Sequence, residues 1–321
     1  VNSVKEAGEM DIQACVRSSP ALLMEGALGE RLKREFGLRF HDQIAMAALV
    51  YDEPSRAALK TLWTGYAAIA RRYGLPFLAT TPTRRANGER LAAAGLDERV
   101  IYDNVALLRS VQRELNQQMF VGGLMGCKGD AYTGEDALDR QEARAFHGYA
   151  AQAFARSGVD FLYAGIMPNV QEAVGMAQAM ADSGLPYIIS FTIRSDGRLI
   201  DGTSIDQAIQ MVDEAVERPP MGFMTNCVHP MIVHQALSQP FNQTGRVRLR
   251  FMGIQANTSP LSYDQLDKAD RLLTSEPEEL ARWIGKLKQD FHLRIFGGCC
   301  GTDESHMKAI ARVVSGARPK G

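Results

Sequence analysis

Three of the five cysteines stand where a parallel strand would end. Cys227 closes the run "GFMTNC", and Cys299 and Cys300 close "LRIFGGCC", 72 positions beyond it (227 to 299). Three thiolates at one point repel each other unless a cation lies among them. Zn²⁺ is the natural choice, being redox-silent and content with sulfur in tetrahedral geometry, and three protein ligands leave a fourth position open. A thiol entering that position would lose its proton and stay nucleophilic near neutral pH, although a free thiol has a pKa of about 8.5. Its target would be an electrophilic carbon, most simply a methyl group on a sulfonium or quaternary ammonium. Hydrolysis by a metal-activated water is the competing use. It is disfavoured because three thiolates weaken the Lewis acidity of zinc and no H-E-x-x-H arrangement is present. The plain alternative is two buried cysteines and an unrelated third. A disulfide between Cys299 and Cys300 is a poor option, because adjacent Cα atoms lie at about 3.8 Å, closer than disulfides prefer.

For sulfur from positions 227 and 299–300 to meet, the chain must return both segments to one rim. Short apolar runs alternate with helical stretches throughout. Strands are predicted at Leu22–Gly26, Phe77–Thr80, Met119–Met125, Asp160–Ile166, Tyr187–Phe191, Gly222–Asn226, Arg248–Asn257 and Leu293–Gly297. Clear helices are predicted in six of the intervals, as at Asp136–Gly158 and Ser204–Glu217, and once more after the last strand, in "DESHMKAIARVVSG". Buried strands alternating with helices give a parallel sheet. Eight such units predict an α/β chain folded as a single-domain (β/α)₈ TIM barrel over residues 21–321, after an N-terminal extension, residues 1–20. A doubly wound sheet is the rival, but "EGALGERL" after the first strand is not G-x-G-x-x-G. Glycines 26 and 29 there would either permit a tight turn or expose N–H groups to an anion. Strands six and eight of a barrel are separated at the rim only by strand seven. Adjacent cysteines normally face opposite ways, and glycines 297, 298 and 301 would let both turn inward.

Other rim positions carry polar groups. Glu25 ends the first strand and could bind a substrate ammonium or brace a loop. Asn226 and Asn257 end the sixth and seventh, each poised to serve substrate or loop. Cys127, in "LMGCKGD", reads as a small filler. His229 and His234, around the helix after Cys227, read as capping or packing groups. His306 reads as structural, and Tyr51, Trp63 and Tyr66 as core or helix contacts.

The composition sets limits. In 321 residues, 45% are hydrophobic and 23% charged, and 36 basic against 37 acidic residues give a net charge of -1. Such balance argues against nucleic acid or a membrane as partner. No apolar run approaches the ~18 residues of a membrane span. Five thinly spread cysteines do not suggest a disulfide framework, which with the poor signal-peptide character of "VNSVKEAGEMDIQACVRSS" leads to the expectation of a reducing, cytoplasmic setting. Oligomeric state has no signature in the sequence.

At the cysteines the sequence resembles the homocysteine S-methyltransferase family, whose members use betaine, S-methylmethionine or S-adenosylmethionine. "GGCCGT" (297–302) is similar to the family's zinc motif, and "GFMTNC" (222–227) to its G-x-N-C segment. "LLMEGALGERL" (22–32) is similar to the opening L-x-D-G-x-x-G/A-T-x-L, with Glu25 for the usual Asp. "DGT" (201–203) and "QANTSP" (255–260) fall in familiar places. The resemblance implies a (β/α)₈ barrel, Zn²⁺ on Cys227, Cys299 and Cys300, and methyl transfer to a zinc-bound thiol in the setting of methionine biosynthesis. Its partners would be a small thiol acceptor and a small sulfonium or quaternary ammonium donor. Two segments depart from the pattern. "YAGIMP" (163–168) has Ala164 and Gly165 where Glu-Thr is usual, losing a carboxylate that would hold an ammonium. "TTPTRRANGERL" (80–91) has Pro82 and Arg84 where "T-Y-Q-A" is common. These predict either an acceptor related to homocysteine or homocysteine held by other groups. The alternatives to methyl transfer are a metal-dependent lyase or hydrolase on the same barrel, and a non-catalytic zinc-storing or redox-sensing protein.

Overall fold

The eight strands all form, and they close on themselves. The computed structural model describes residues 10–261 and 274–316. Its strands are β1 (Leu22–Met24), β2 (Phe77–Thr80), β3 (Met119–Gly126), β4 (Phe161–Met167), β5 (Tyr187–Phe191), β6 (Gly222–Val228), β7 (Phe251–Ala256) and β8 (Ile295–Gly298). Each pairs in parallel with its sequence neighbours, and β8 returns to β1 through Leu22–Ile295 and Leu23–Phe296 to close the barrel.

Strand alternation divides the apolar residues into two cores. Leu22, Met24, Leu78, Phe120, Phe161 and Ile295 belong to the cluster inside the barrel. Leu23, Phe77, Val121, Leu162, Ile189 and Phe223 face outward onto the helices. Interior glycines make room for the large rings and thioethers: a Cβ on Gly122 would lie 2.5 Å from the Phe161 ring, and one on Gly222 would lie 2.3 Å from Met252. Within the segment read as an N-terminal extension, helix Ile12–Ser18 places Ile12, Cys15 and Val16 against the same interior cluster. Arg294, just before β8, donates to the Val16 carbonyl, so this helix stoppers the N-terminal end of the barrel. The functional rim is the opposite, C-terminal end.

Local signals set the helix ends. Asp139 and Ser204 form capping boxes with Glu142 and Gln207 at the starts of helices Arg140–Ser157 and Ile205–Glu214. Asp303 caps Glu304–Ser315, with His306 at the third helical position. One expected element is different. Arg248–Arg250 begin no strand; they end a short helix, Gly245–Arg250. Thr244 caps it by accepting from the Val247 N–H, and Arg250 is drawn away from the sheet by paired bonds to Asp213 and one to the Pro220 carbonyl. The strand therefore starts at Phe251, after the last arginine.

The packing of Gly122 yields a prediction. Gly122→Ala is expected to lower stability by about 1–3 kcal/mol through displacement of Phe161, read as a lower denaturation midpoint with an unchanged m-value.

Candidate metal centre

The three sulfurs converge. Sγ of Cys227 lies 3.4 Å from Sγ of Cys300, which lies 4.0 Å from Sγ of Cys299. All three are within 4.8 Å of one another. Zinc–sulfur bonds of about 2.3 Å in a tetrahedron put ligand sulfurs about 3.8 Å apart. The set therefore fits a single ion with little movement.

Each cysteine gets there by a distinct backbone device. On β6, Met224 faces the interior and Phe223 the helices. By alternation Cys227, like Phe223, would face outward. Its φ of 63° breaks the alternation, and the β6–β7 register shifts between Asn226 and Val228 at that point. A non-glycine residue in the left-handed region is costly and is found where the surroundings hold it. On the other side β8 stops at Gly298, and residues 299–302 form a turn in which Thr302 N–H bonds the Cys299 carbonyl at 3.1 Å. Gly301, third in that turn, has φ 79°, the value a type II turn asks of this position. Thus only Gly301 supplies the conformational freedom expected of the three glycines. Gly297 and Gly298 lie within the strand and serve close approach: their Cβ atoms would meet Met24 at 2.7 Å and the Thr302 hydroxyl at 2.2 Å. Glu30 accepts the Gly301 N–H at 2.5 Å and ties the turn to the first loop.

The electrostatics show why a cation belongs here. Hydrogen bonds from Cys299 and Cys300 hold the Cys227 thiol far below its usual pKa. Those same bonds to Cys227 push Cys299 and Cys300 well up. Tyr132 adds a hydrogen bond to Cys227, and its own phenol is pushed up by burial and by the sulfur charges. Asn257 directs its amide to Cys227 Sγ at 3.7 Å, while its carbonyl oxygen accepts from the Ser259 N–H at 2.8 Å.

Asn226 and Glu25 both sit on the rim, in the roles of brace rather than ligand. Asn226 Oδ1 accepts from the Ile166 N–H at 2.9 Å and the Ser190 hydroxyl at 2.7 Å, joining the ends of β4, β5 and β6. Ile166, with φ 58°, is a second left-handed residue, fixed by that bond. Both Glu25 oxygens are engaged by Thr80, from its N–H at 2.7 Å and its hydroxyl at 2.6 Å. Burial pushes the Glu25 carboxyl up to about 8 against those bonds. Of Ala164 and Gly165, Ala164 packs outward on the helices. Gly165 faces in, where a Cβ would meet Leu124 at 3.0 Å and the Asn226 amide at 3.8 Å.

The remaining candidates are structural. Cys127 points into the outer core, its thiol directed to the Gly129 carbonyl. His229 caps helix Pro230–Leu237 by accepting from Met231 and also bonds Ser275; burial lowers its pKa to about 4. His234 lies inside that helix and pairs with Asp290. His306 bonds Asp303 and the Ser275 carbonyl. Trp63 and Tyr66 are core residues, and a Cβ on Gly26 would lie 2.7 Å from the Tyr66 ring, so this glycine permits close packing. Tyr51 lies at the surface, bonded to Asp103 on helix Arg99–Leu115.

Sequence reasoning missed Tyr132. It stands in the loop after β3, where only Cys127 attracted notice. Buried Glu172 shapes that loop by accepting from Lys128 N–H at 2.7 Å, Leu138 N–H at 3.4 Å and His147 at 3.0 Å. Nothing in "DAYTGED" separates this tyrosine from others. The centre opens into a cavity of about 610 Å³, lined in part by Glu25, Arg84, Tyr132, Asn226 and the three cysteines, a size suited to small molecules.

Comparison with known proteins is consistent with this site. The family described as "Homocysteine S-methyltransferase" matches residues 22–314. "Homocysteine S-methyltransferase 3" of Arabidopsis thaliana is 28% identical over 192 residues, covering 58% of this chain and 53%, about half, of that relative. "Homocysteine S-methyltransferase YbgG" of Bacillus subtilis is 22% identical over 323 residues, 94% of this chain and 96% of the other. Among solved structures, the metallated form of the homocysteine methyltransferase MmuM from Escherichia coli superposes with a TM-score of 0.71 at 22% identity, covering 92% of this chain and 97% of that one. Its oxidized form gives 0.74 at 21%, covering 94% and 99%. These structural likenesses establish the shared barrel fold.

Two predictions come from the centre. The reduced chain is expected to hold one zinc ion. Replacing Cys227, Cys299 or Cys300 by Ser should weaken zinc by more than about a hundredfold, and Tyr132→Phe by about tenfold, measured by competition with a chromophoric chelator. In the metal-free chain, folded Glu25 keeps its proton up to about pH 8, whereas an unperturbed carboxyl loses it near pH 4.5. The folded state then binds more protons than the unfolded one between those values, so this group lowers stability as pH rises through that window. Glu25→Gln should flatten the fall, seen in denaturation midpoints at about pH 5 and about pH 8.

Proposed function

The chain belongs to the homocysteine S-methyltransferase family, and on that premise we propose that it transfers a methyl group from a small sulfonium or quaternary ammonium donor to a thiol held at the three-cysteine centre. The observation carrying this reading is the convergence of Cys227, Cys299 and Cys300 within 4.8 Å at the floor of the cavity. Zinc is the ion the donor set fits, and when bound it would keep the acceptor sulfur deprotonated near neutral pH.

The chain's own groups do the rest. Asn257 and Tyr132 orient Cys227 by hydrogen bonds to its sulfur. Asn226 fixes the ends of β4 and β5 around the same opening, so the walls of the cavity are set before substrate arrives. Methyl transfer is an in-line displacement at carbon. The sulfur–carbon bond forms as the donor's sulfur or nitrogen leaves with the bonding pair, and no proton moves at the methyl carbon. Positioning then supplies most of the acceleration. We assign Glu25, Asn226 and Asn257 to positioning: Glu25 shapes the first two loops through Thr80, and the asparagines hold the rim.

Removal of the metal with a chelator is expected to reduce methyl transfer more than about a hundredfold, with recovery on adding one equivalent of zinc. The assay pairs candidate donors with candidate thiols and follows methylated product by mass spectrometry. Full turnover in metal-free protein would refute the reading. X-ray absorption at the zinc edge should show an added sulfur neighbour when an acceptor thiol binds.

A further inference from the structure

The wall of the cavity beside the sulfurs carries positive charge without a partner. Arg84 and Arg85 follow β2 and line the cavity. Among the described residues neither guanidinium has an ion pair. The half-buried side chain of Arg84 runs across the end of β3: a Cβ on Gly126 would lie 2.5 Å from Arg84 Cγ, so the glycine there is what lets this arginine lie over the mouth. Gly126 is the register partner of Gly165 on β4. Two inward-facing glycines thus stand side by side, one covered by the arginine stem and the other bare beside Leu124 and Asn226.

Most acidic groups near this wall are committed elsewhere, and Asp130, the carboxylate that feels Arg84, forms no ion pair with it among the described residues. Glu25 is engaged through both oxygens by Thr80, and Glu30 by the Gly301 N–H. Asp42 is exposed on the loop before residue 46. Asp130 uses one oxygen for the N–H groups of Tyr132 and Thr133. The Arg85 guanidinium is pushed below its usual range by burial and by its neighbours Arg84 and Arg90. Arg85 is nonetheless an exposed residue, so Arg84 is the cation seated in the wall, and a guanidinium there without an ion pair favours an anionic group on the ligand.

We propose that the acceptor is a thiol whose far end is acidic and carries no ammonium, a mercapto-carboxylate or mercapto-sulfonate, with Arg84 binding the acidic group. This deepens the thiol-methyltransferase reading and rests on it. The sulfur would go to the three-cysteine centre and the acid to the wall after β2. The inward face at Gly165 and the Asn226 amide offers no carboxylate to an amino group lying against it, and a buried ammonium without a partner is costly.

Three probes of one chain length test the charge: 4-mercaptobutanoate, homocysteine, and 3-mercaptopropylamine. Binding to the zinc-loaded full chain is measured by calorimetry, with the zinc edge reporting sulfur uptake. 4-Mercaptobutanoate is expected to bind about tenfold or more tighter than homocysteine, and 3-mercaptopropylamine weakest. Arg84→Ala should erase most of the preference for the acid over the amine, and Arg84→Lys should keep part of it. Gly165→Glu should shift preference toward homocysteine. Homocysteine binding as tightly as its desamino analogue, or an unchanged preference in Arg84→Ala, would overturn the proposal while leaving the thiol-methyltransferase reading intact. A zinc centre that takes up none of the three thiols would overturn both.

Discussion

Everything at the rim follows from one constraint: three sulfurs must share a space less than 5 Å across without three negative charges confronting each other. A divalent cation satisfies it. Without one, hydrogen bonds among the sulfurs lower the pKa of the Cys227 thiol and raise those of Cys299 and Cys300. Closure of the barrel makes the meeting possible. β6 and β8 both pair with β7, through Asn226–Gln255 and Gln255–Gly297, so the two cysteine-bearing ends are one strand apart. An open sheet that left either strand at an edge would not guarantee that spacing.

Bringing side chains to a point from a strand end requires breaking the rules that make a strand. Cys227 and Ile166 both take left-handed backbone angles, and Ile is among the residues that least tolerate them. The two are linked: Asn226, immediately before Cys227, accepts the Ile166 N–H. The residue that precedes one unfavourable backbone turn therefore holds the other, the one that shapes the cavity wall. The loop carrying Tyr132 is held by the same logic from the opposite direction. Glu172, buried among the helices, collects two backbone N–H groups and His147, and so fixes the loop from outside the barrel.

The strands were legible because buried parallel strands are written as short apolar runs, and the converging cysteines because cysteines beside glycines at strand ends are uncommon. What was hidden has a common cause. Arg248–Arg250 belong to a helix because Thr244, Asp213 and Pro220 claim them, and those partners are distant in the sequence or chemically ordinary. Gly297 and Gly298 look like hinge residues but are filled by Met24 and Thr302, contacts across the barrel that no local pattern reveals. Tyr132 reaches Cys227 only through a loop whose shape depends on Glu172, forty positions later. Asn226 and Asn257 lie at strand ends, and what they do there depends on bonds to neighbouring strands that the sequence does not display.

Chemistry and selectivity occupy different parts of this rim. The sulfurs come from β6 and β8, whereas the charged wall comes from the end of β2, laid over β3 and beside β4. In a barrel each strand end contributes its own loop, so one wall can change character without moving another. Gly126 shows how little is needed. Any side chain there would collide with the arginine stem, so the charge of the wall depends on a missing Cβ as much as on the arginine itself. A Glu on the neighbouring inward position, Gly165, would place a carboxylate at the adjoining strand end and offset part of the positive charge. The ion-binding geometry is set elsewhere, by Cys227's backbone turn and the Gly301 turn. Thus the fold separates the group that activates the sulfur from the group that decides which sulfur compound arrives.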